Sequence, residues 1–227
     1  MNASVVPCNK SITTSKTDKM RRMHNDFKKD LIFKNAKVGD RVLDCGAGRG
    51  GDLLKWKIAG IYKPTCIDPD QESLLELEKR AKTIGSLPNV QLGDILTVEG
   101  GPFDVICYNF SLHYIAPRLE ENVAAIARNL KPGGKLIGIV PDPNRLPCDY
   151  FVDRQGNTVI RRGDTLDVKL LNGPFYAGSF KTEPILEPEA LKNSLSRHGV
   201  TCETWEPMVS EETGLISDIY SRFIFRC

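Results

Sequence analysis

The sequence RVLDCGAGRGGD, residues 41–52, constrains the fold of this chain more than any other stretch. Val42 and Leu43 end a short apolar run of the kind that forms a buried parallel strand. Glycines then dominate the sequence, and a helical spacing of apolar residues resumes at Leu53. A strand, a glycine-rich turn and a helix N-terminus therefore follow one another. This arrangement allows the polar groups of a ligand to approach backbone N–H groups closely.

The rest of the chain alternates between apolar runs of strand length and stretches of helical spacing. Helices are predicted at residues 17–35, 51–59, 71–84, 117–130 and 188–197. Further strands are predicted at 65–67, 90–92, 103–108, 135–140, 201–205 and 219–225. Such alternation is typical of a parallel, doubly wound sheet, and the two late strands predict an antiparallel edge. We therefore expect an α/β fold with a mostly parallel, Rossmann-like sheet.

Two segments depart from this pattern. Residues 1–16 are polar and lack periodicity, so we expect a disordered basic tail there. Within residues 142–182, prolines and glycines separate three short apolar runs, at 158–160, 166–171 and 175–180. This spacing predicts a small antiparallel β insertion over the carboxyl edge of the sheet, where it can cover a ligand. Residues 17–227 are expected to form one domain that includes this insertion.

Composition excludes several classes of protein. With 227 residues and 41% hydrophobic content, the chain can bury one sizeable core. No apolar run approaches the roughly 20 residues that span a bilayer, and no signal peptide is recognisable. The seven cysteines form no C-x-x-C pair, so neither a disulfide framework nor a metal site is predicted. We expect an intracellular protein of a reducing compartment that contacts no membrane.

Positive charge is concentrated near the N-terminus. The formal net charge is only +2, too low for a protein that coats nucleic acid through a general phosphate field. Residues 1–37 nevertheless hold nine Lys or Arg residues against three Asp residues. This imbalance fits a local contact with phosphates, while a solvated tail explains it equally well for residues 1–16.

Three acidic residues follow three successive predicted strands. A G-x-G-x-x-G pattern at residues 46–51, with Asp68 beyond it, fits a dinucleotide site. Asp44, however, would repel a pyrophosphate and suits a ligand that carries an ammonium group. S-adenosylmethionine carries one; Asp68 can accept from its ribose hydroxyls, and Asp94 from its adenine amino group. Each acid alone also suits an ordinary turn. Together with the glycine loop they resemble the core of class I S-adenosylmethionine-dependent methyltransferases.

Three further motifs make the resemblance more specific. Residues 46–56 read GAGRGGDLLKW, residues 110–114 read FSLHY, and residues 130–134 read LKPGG. From about Arg21 to the C-terminus the chain resembles the mRNA cap guanine-N7 methyltransferase family. The resemblance implies a class I methyltransferase fold and methyl transfer from S-adenosylmethionine to N7 of the guanine in a GpppN cap. The methyltransferase domain of a viral capping enzyme is one form in which this family occurs.

The resemblance also implies a donor site. Lys28 matches a lysine on the helix before the core that meets the carboxylate of the donor. The rest of S-adenosylmethionine is expected to lie against residues at the strand ends, namely Asp44, Gly46, Gly48, Asp68, Asp94, Asn109, Phe110 and Ser111.

For the capped 5' end of RNA, the resemblance implies two groups of residues. Arg21, Asn25 and Lys55 match positions near the cap phosphates. The positions around guanine are His113, Tyr114, Glu183 and Tyr220. A carboxylate such as Glu183 can accept from guanine N1–H and the exocyclic amine, and tyrosine rings can pack against the base. A solvated loop acid and a strand aromatic are the structural alternatives for Glu183 and Tyr220.

This chain departs from the family at His24-Asn25, where paired asparagines are usual. It also lacks a Lys-x-Asp-Gly motif, so we expect no guanylyltransferase activity in it. Guanylyltransferase and triphosphatase domains or subunits of a capping apparatus are therefore candidate partners. The expected location is the nucleus for a cellular protein, and the cytoplasm or virion for a viral one.

The expected mechanism needs no catalytic acid or base. Guanine N7 has a lone pair and carries no proton, so in-line transfer depends on orientation, which can contribute on the order of 7–11 kcal/mol. Two alternatives stay open at this point. One is a small-molecule methyltransferase in which residues 142–182 cover a metabolite, and the other is a non-catalytic RNA-binding partner of a capping complex.

Overall fold

The computed structural model describes residues 16–171, 178–208 and 214–227, and for residues 16–19 it describes the backbone alone. The helices are α1 Lys16–Asn35, α2 Leu53–Ile58, α3 Gln71–Ile84, α4 Leu119–Asn129 and α5 Pro188–Arg197. The strands are β1 Val42–Cys45, β2 Thr65–Asp68, β3 Asn89–Leu92, β4 Phe103–Asn109, β5 Leu130–Pro141, β6 Tyr150–Val152, β7 Thr158–Arg162, β8 Thr165–Lys169, β9 Lys181–Pro184, β10 Thr201–Pro207 and β11 Tyr220–Arg226. The predicted tail lies outside the described residues except at Lys16, and so do residues 172–177 of the predicted insertion.

The main sheet confirms the predicted fold class. Its strand order is β10-β11-β5-β4-β1-β2-β3. Neighbours from β5 to β3 run parallel, whereas β11 runs antiparallel to β5 and β10 antiparallel to β11. Every residue of β1 and β2 is buried, as expected for central strands with both faces covered.

The topology brings the polar strand ends to one edge of the sheet. Asp44 pairs in register with Cys107 of β4, so the ends of β1 and β4 lie side by side. Asp68 ends β2, Asn109 ends β4, and Asp94 follows β3 after one glycine. Because parallel strands present their carboxyl ends at the same edge, these side chains converge there.

Helix α1 confirms the predicted helix before the core. Its residues Leu31 and Ile32 are buried and pack with Val42 and Val105 of the main sheet, and Met23 and Phe27 pack against the same core cluster. The helix therefore packs against the main sheet through its apolar face. No helix within the described ranges is both long and apolar enough to cross a membrane.

The structure differs from the prediction on both sides of α4. A 3₁₀ segment, Leu112–Arg118, precedes this helix, so α4 begins two residues after the predicted start at Pro117. The 3₁₀ segment carries His113 and Tyr114 at the sheet edge. Residues 131–134, which separate the predicted helix at 117–130 from the predicted strand at 135–140, lie inside β5 as an irregularity of the β4–β5 register, with Gly133 at φ +76°. A left-handed glycine permits such a bulge without ending the strand.

A second, antiparallel sheet follows β5, with the order β6-β7-β8-β9. It spans residues 150–184 and so extends two residues beyond the predicted insertion. Val159, Leu166 and Val168 pack in one cluster with Ile216 and Ile219. Glu183 pairs directly with Leu166, so it lies on this packed face.

Candidate active site

A cavity of about 500 Å³, here called the edge cavity, lies at the carboxyl edge of the main sheet. Its wall combines backbone of the glycine loop, two acids and several rings. The predicted site residues among its lining are Gly46, Asp68, Asp94, Phe110, Ser111 and Tyr114. Lys28, Asp44, Gly48 and Asn109 do not line it.

Gly46 is required where the β1 and β4 loops cross. Its φ is +68°, and a Cβ atom at this position would lie 2.5 Å from the Cβ of Ser111. The Ser111 hydroxyl donates a hydrogen bond to the Cys45 carbonyl at 2.8 Å. Both the backbone conformation and the close approach therefore exclude any larger side chain, so the loop presents bare backbone to the edge cavity at Gly46.

Asp68 is oriented by backbone groups. One carboxylate oxygen accepts from Gly48 N–H at 2.8 Å, and the other accepts from Asp70 N–H at 2.9 Å. Each oxygen has further lone-pair capacity, so this carboxylate can still accept from two neighbouring hydroxyl groups. Gly48 does not line the edge cavity itself, but its N–H orients the Asp68 carboxylate that does.

Behind the edge cavity, a buried network is centred on Asp52. One oxygen, Oδ1, accepts from Lys28 Nζ at 2.7 Å and from Lys55 Nζ at 2.9 Å. The other, Oδ2, accepts from Asn109 Nδ2 at 2.9 Å. Sequence reasoning included Asp52 in a motif but did not select it as a site residue. Two features of the sequence could have indicated it, namely an acid at a helix start and lysines in the flanking helical segments.

Lys55 is fully engaged within this network. Its ammonium group donates to Asn25 Oδ1 at 2.8 Å, to the Gly51 carbonyl at 3.0 Å and to Asp52 Oδ1 at 2.9 Å. These three contacts use all three of its N–H donors. Lys55 can therefore contact a phosphate only by giving up one of them. The predicted phosphate residue Arg21 lies exposed on α1.

The pKa values of Asp44 and Asp52 are shifted in opposite directions. Burial, followed by the charge of Asp52, raises the pKa of Asp44 to about 7, although Trp56 Nε1 donates to its Oδ2 at 2.9 Å. Burial acts against the ionised form of Asp52 as well, but Lys28 and Lys55 hold the pKa of Asp52 below its usual value. Asp52 is therefore the ionised member of the pair.

Four residues predicted to surround guanine lie together beside the edge cavity, and we call them the acceptor cluster: His113, Tyr114, Glu183 and Tyr220. His113 Nε2 lies 3.4 Å from Glu183 Oε2, and the Tyr114 hydroxyl donates to Glu183 Oε1 at 3.4 Å. The rings of His113 and Tyr114 are 4.2 Å apart. Burial raises the pKa of the Tyr220 hydroxyl, and the carboxylate of Glu183 adds to that shift.

His113 is a neutral, buried imidazole. Burial lowers its pKa to about 4. Neither ring nitrogen has a well-aligned hydrogen-bond partner in the described part of the chain, and the same holds for the buried Oδ1 of Asn109. Buried polar atoms are nearly always satisfied in native proteins. Unpaired polar atoms at this position therefore indicate a polar ligand.

Phe110 joins the edge cavity to the acceptor cluster. Its ring lines the cavity and meets the Tyr220 ring edge-on, with centroids 5.1 Å apart. On its other side the ring stacks on His24 at 4.9 Å. Sequence reasoning noted His24 only as a departure from the family pattern, and no local signal placed it next to Phe110.

The donor set fits S-adenosylmethionine. Gly46 brings backbone without a side chain to the cavity wall, and Asp68 and Asp94 offer acceptors there. The Lys28 ammonium group lies 6.0 Å from the centroid of the Phe110 ring, which lines the cavity. Within the described residues, no cluster of three His, Cys, Asp or Glu side chains could hold a metal ion.

Solved structures share the fold of this chain. One is a S-adenosylmethionine-dependent methyltransferase from Clostridium acetobutylicum, with a TM-score of 0.63 and 18% identity, covering 90% of this chain and 91% of that chain. Another is an amino pentose methyltransferase from Micromonospora echinaspora, with a TM-score of 0.64 and 15% identity, covering 92% of this chain and 95% of that chain. The chain thus has the Rossmann-like fold of these two proteins.

The sequence identifies the family within this fold. Residues 5–161 match the mRNA (guanine-N(7))-methyltransferase domain family, and the chain belongs to that family. Membership implies S-adenosylmethionine as cosubstrate. Glu183 and Tyr220 lie outside the matched residues.

Curated relatives extend well beyond the part that this chain matches. The mRNA cap guanine-N(7) methyltransferase of Saccharomyces cerevisiae is 33% identical in an alignment 167 residues long that covers 63% of this chain and 38% of that protein. The Caenorhabditis elegans protein of the same name is 33% identical in an alignment 155 residues long that covers 56% of this chain and 40% of that protein. The chain thus spans about 40% of the length of these relatives, which are cellular eukaryotic proteins.

Substitution of Asp52 is expected to destabilise the fold strongly. In Asp52→Ala, two lysines with only 15% and 12% of their side chains exposed lose their counter-ion. Removing one partner of a buried ion pair costs about 3–5 kcal/mol. Urea unfolding measures the loss. Glu76→Ala, which breaks the exposed pair with Lys79 on α3, is the control and should cost under about 1 kcal/mol. Equal losses in the two variants would contradict the assignment.

The pH dependence of the free energy of unfolding should reveal the lowered pKa of His113. Its folded pKa lies below the unfolded value, so the unfolded chain binds the proton first as pH falls, and stability is lost from pH 6.5 down to about 4. His113→Gln should reduce this slope by up to about 1.4 kcal/mol per pH unit. Asp44, whose pKa is raised by folding, adds stability as pH falls over the same range, but it contributes equally to the wild type and to His113→Gln. The measurement is urea unfolding between pH 4 and 7, with the exposed His198→Gln as control. An unchanged slope in His113→Gln would exclude a buried neutral imidazole.

Proposed function

We propose that this chain transfers a methyl group from S-adenosylmethionine to N7 of the guanine in a GpppN RNA cap. The observation that carries the proposal is the position of the acceptor cluster directly beside the edge cavity, with Tyr114 common to both. A methyl donor in the cavity would then face a planar base held among His113, Glu183 and the tyrosines.

Each donor contact follows from the chemistry of this chain. We assign the ribose hydroxyls to Asp68, the adenine amino group to Asp94 and the carboxylate of the donor to Lys28. Asp44 and the unpaired Oδ1 of Asn109 are the acceptors assigned to the ammonium group. When bound, S-adenosylmethionine supplies an electrophilic methyl group on a sulfonium.

The acceptor cluster suits guanine. The Glu183 carboxylate can accept from N1–H and the exocyclic amine, an interaction worth about 1–3 kcal/mol of discrimination between bases. Neutral His113 can donate to a base oxygen, which an acceptor-only carboxylate cannot do. Guanine N7 carries no proton, so these residues orient the base and exclude water without moving a proton. The small β sheet, which carries Glu183 on β9, is assigned to cover the base, and Arg21 and Asn25 are assigned to the cap phosphates.

The first experiment measures transfer of labelled methyl from S-adenosylmethionine to RNA ending in GpppN, to triphosphate RNA and to free GTP. Label should appear in the capped RNA and be recovered as 7-methylguanosine. Donor binding without transfer to any RNA, together with methylation of free metabolites, would support a small-molecule enzyme instead. A need for added guanylyltransferase or triphosphatase subunits would identify them as the proposed partners.

Replacement of Glu183 should separate acceptor from donor binding. In Glu183→Ala, cap methylation is expected to fall by about two orders of magnitude, because a buried acceptor for guanine is lost. The Kd for S-adenosylhomocysteine should stay unchanged, since Glu183 does not line the edge cavity. Glu187→Ala removes a carboxylate from the exposed surface near the same sheet and serves as the control. Parallel loss of donor and acceptor binding would refute this role for Glu183.

A further inference from the structure

His24 lies between the two halves of the site. Its imidazole stacks on Phe110, with ring centroids 4.9 Å apart and an interplanar angle of 24°. The same imidazole meets Tyr220 edge-on at 5.8 Å. Phe110 lines the edge cavity and Tyr220 belongs to the acceptor cluster, so His24 contacts one residue from each half.

A hydrogen bond fixes the orientation of this imidazole. His24 Nε2 lies 2.8 Å from the hydroxyl of Ser217, which is fully buried. Ser217 belongs to the 3₁₀ turn Ile216–Ile219 immediately before β11. The bond therefore ties α1 to the segment that places Tyr220, and the His24 ring cannot rotate away from Phe110 without breaking it.

The backbone of Phe110 needs such support. Its φ is +64°, a left-handed conformation that bulky residues rarely adopt, and its N–H donates to the Ile139 carbonyl at 2.7 Å. A strained conformation of this kind persists only where the surroundings hold it. Helix α1 supplies two of the contacts. Lys28 lies one turn after His24 on the same helix face, with its Nζ 6.0 Å from the centroid of the Phe110 ring.

We propose that His24 is a positioning residue for methyl transfer, in which its stacked imidazole holds Phe110 as the common wall of the edge cavity and the acceptor cluster. The role rests on the proposed function. The wall sets how closely the base can approach the donor, and in-line transfer is sensitive to displacements of about 1 Å. His24 touches neither substrate in this assignment and acts through Phe110 alone.

The imidazole suits this position because it is uncharged. Burial, with a smaller contribution from the cation of Lys28, lowers the pKa of His24 to about 4. The other groups that face it are Ser217, Tyr220 and Phe110, none of which is charged at neutral pH. A neutral ring stacks on Phe110 without repelling Lys28, whereas a permanent cation there would weaken the bond between Lys28 and Asp52.

Three variants separate the ring from the hydrogen bond. His24→Ala removes both, His24→Gln retains a polar group for Ser217, and His24→Phe retains a ring for Phe110. For each we would measure kcat and KM with GpppN RNA, the Kd for S-adenosylhomocysteine, and the thermal midpoint. We expect kcat to fall about tenfold or more in His24→Ala and His24→Gln, with the donor Kd within about threefold of wild type. His24→Phe should recover most of kcat. His198→Ala, which removes an exposed imidazole after α5, is the control.

The outcomes distinguish this role from the proposed function. A wild-type chain that binds donor but does not methylate capped RNA would overturn both. Methylation by wild type and His24→Ala at similar rates would overturn only the role of His24. A fall of kcat in His24→Phe equal to that in His24→Ala, accompanied by an equal loss of thermal midpoint, would identify a merely structural residue and also overturn it.

Discussion

The carboxylate of Asp52 holds the glycine loop, two helices and a central strand in one arrangement. It is buried, and burial of an ionised carboxylate is tolerated only with strong pairing. Lys28 arrives from α1, Lys55 from α2 and Asn109 from the end of β4. Because all three side chains converge on one group, the position of α1 against the sheet and the shape of the edge cavity depend on each other.

That dependence gives the two lysines different roles. Lys55 uses its three donors on Asn25, Gly51 and Asp52, so it braces α1 against the loop. Lys28 retains donor capacity beyond its bond to Asp52 and lies beside the edge cavity. The same negative charge that fixes these cations also raises the pKa of Asp44. An ammonium group bound nearby would favour the ionised form of Asp44, which links donor binding to the protonation of the buried network.

Much of the fold could be predicted because it is encoded locally. Apolar periodicity and the glycine loop predict each central strand and helix within a few residues, and the acids at the strand ends follow from the topology of a parallel sheet. The remainder depends on contacts between distant residues. Asp52 gains its role from lysines on two helices, and Glu183 reaches His113 only because β9 folds back over the sheet edge. Helix α4 begins later than predicted because Pro117 lies in a 3₁₀ segment that precedes it.

The proposed chemistry gives a reason for the strained backbone of Phe110 and for the charged residues buried near it. A reaction that moves no proton gains little from a tuned acid or base, and its rate depends on how firmly donor and acceptor are held. The β1 and β4 loops cross at Gly46 and Ser111, with Phe110 left-handed immediately before the crossing. The ring contacts of Phe110 with His24 and Tyr220 leave this wall few alternative positions. His24 and Lys28 contact it from α1, so the strained backbone of Phe110 is held where the edge cavity meets the acceptor cluster.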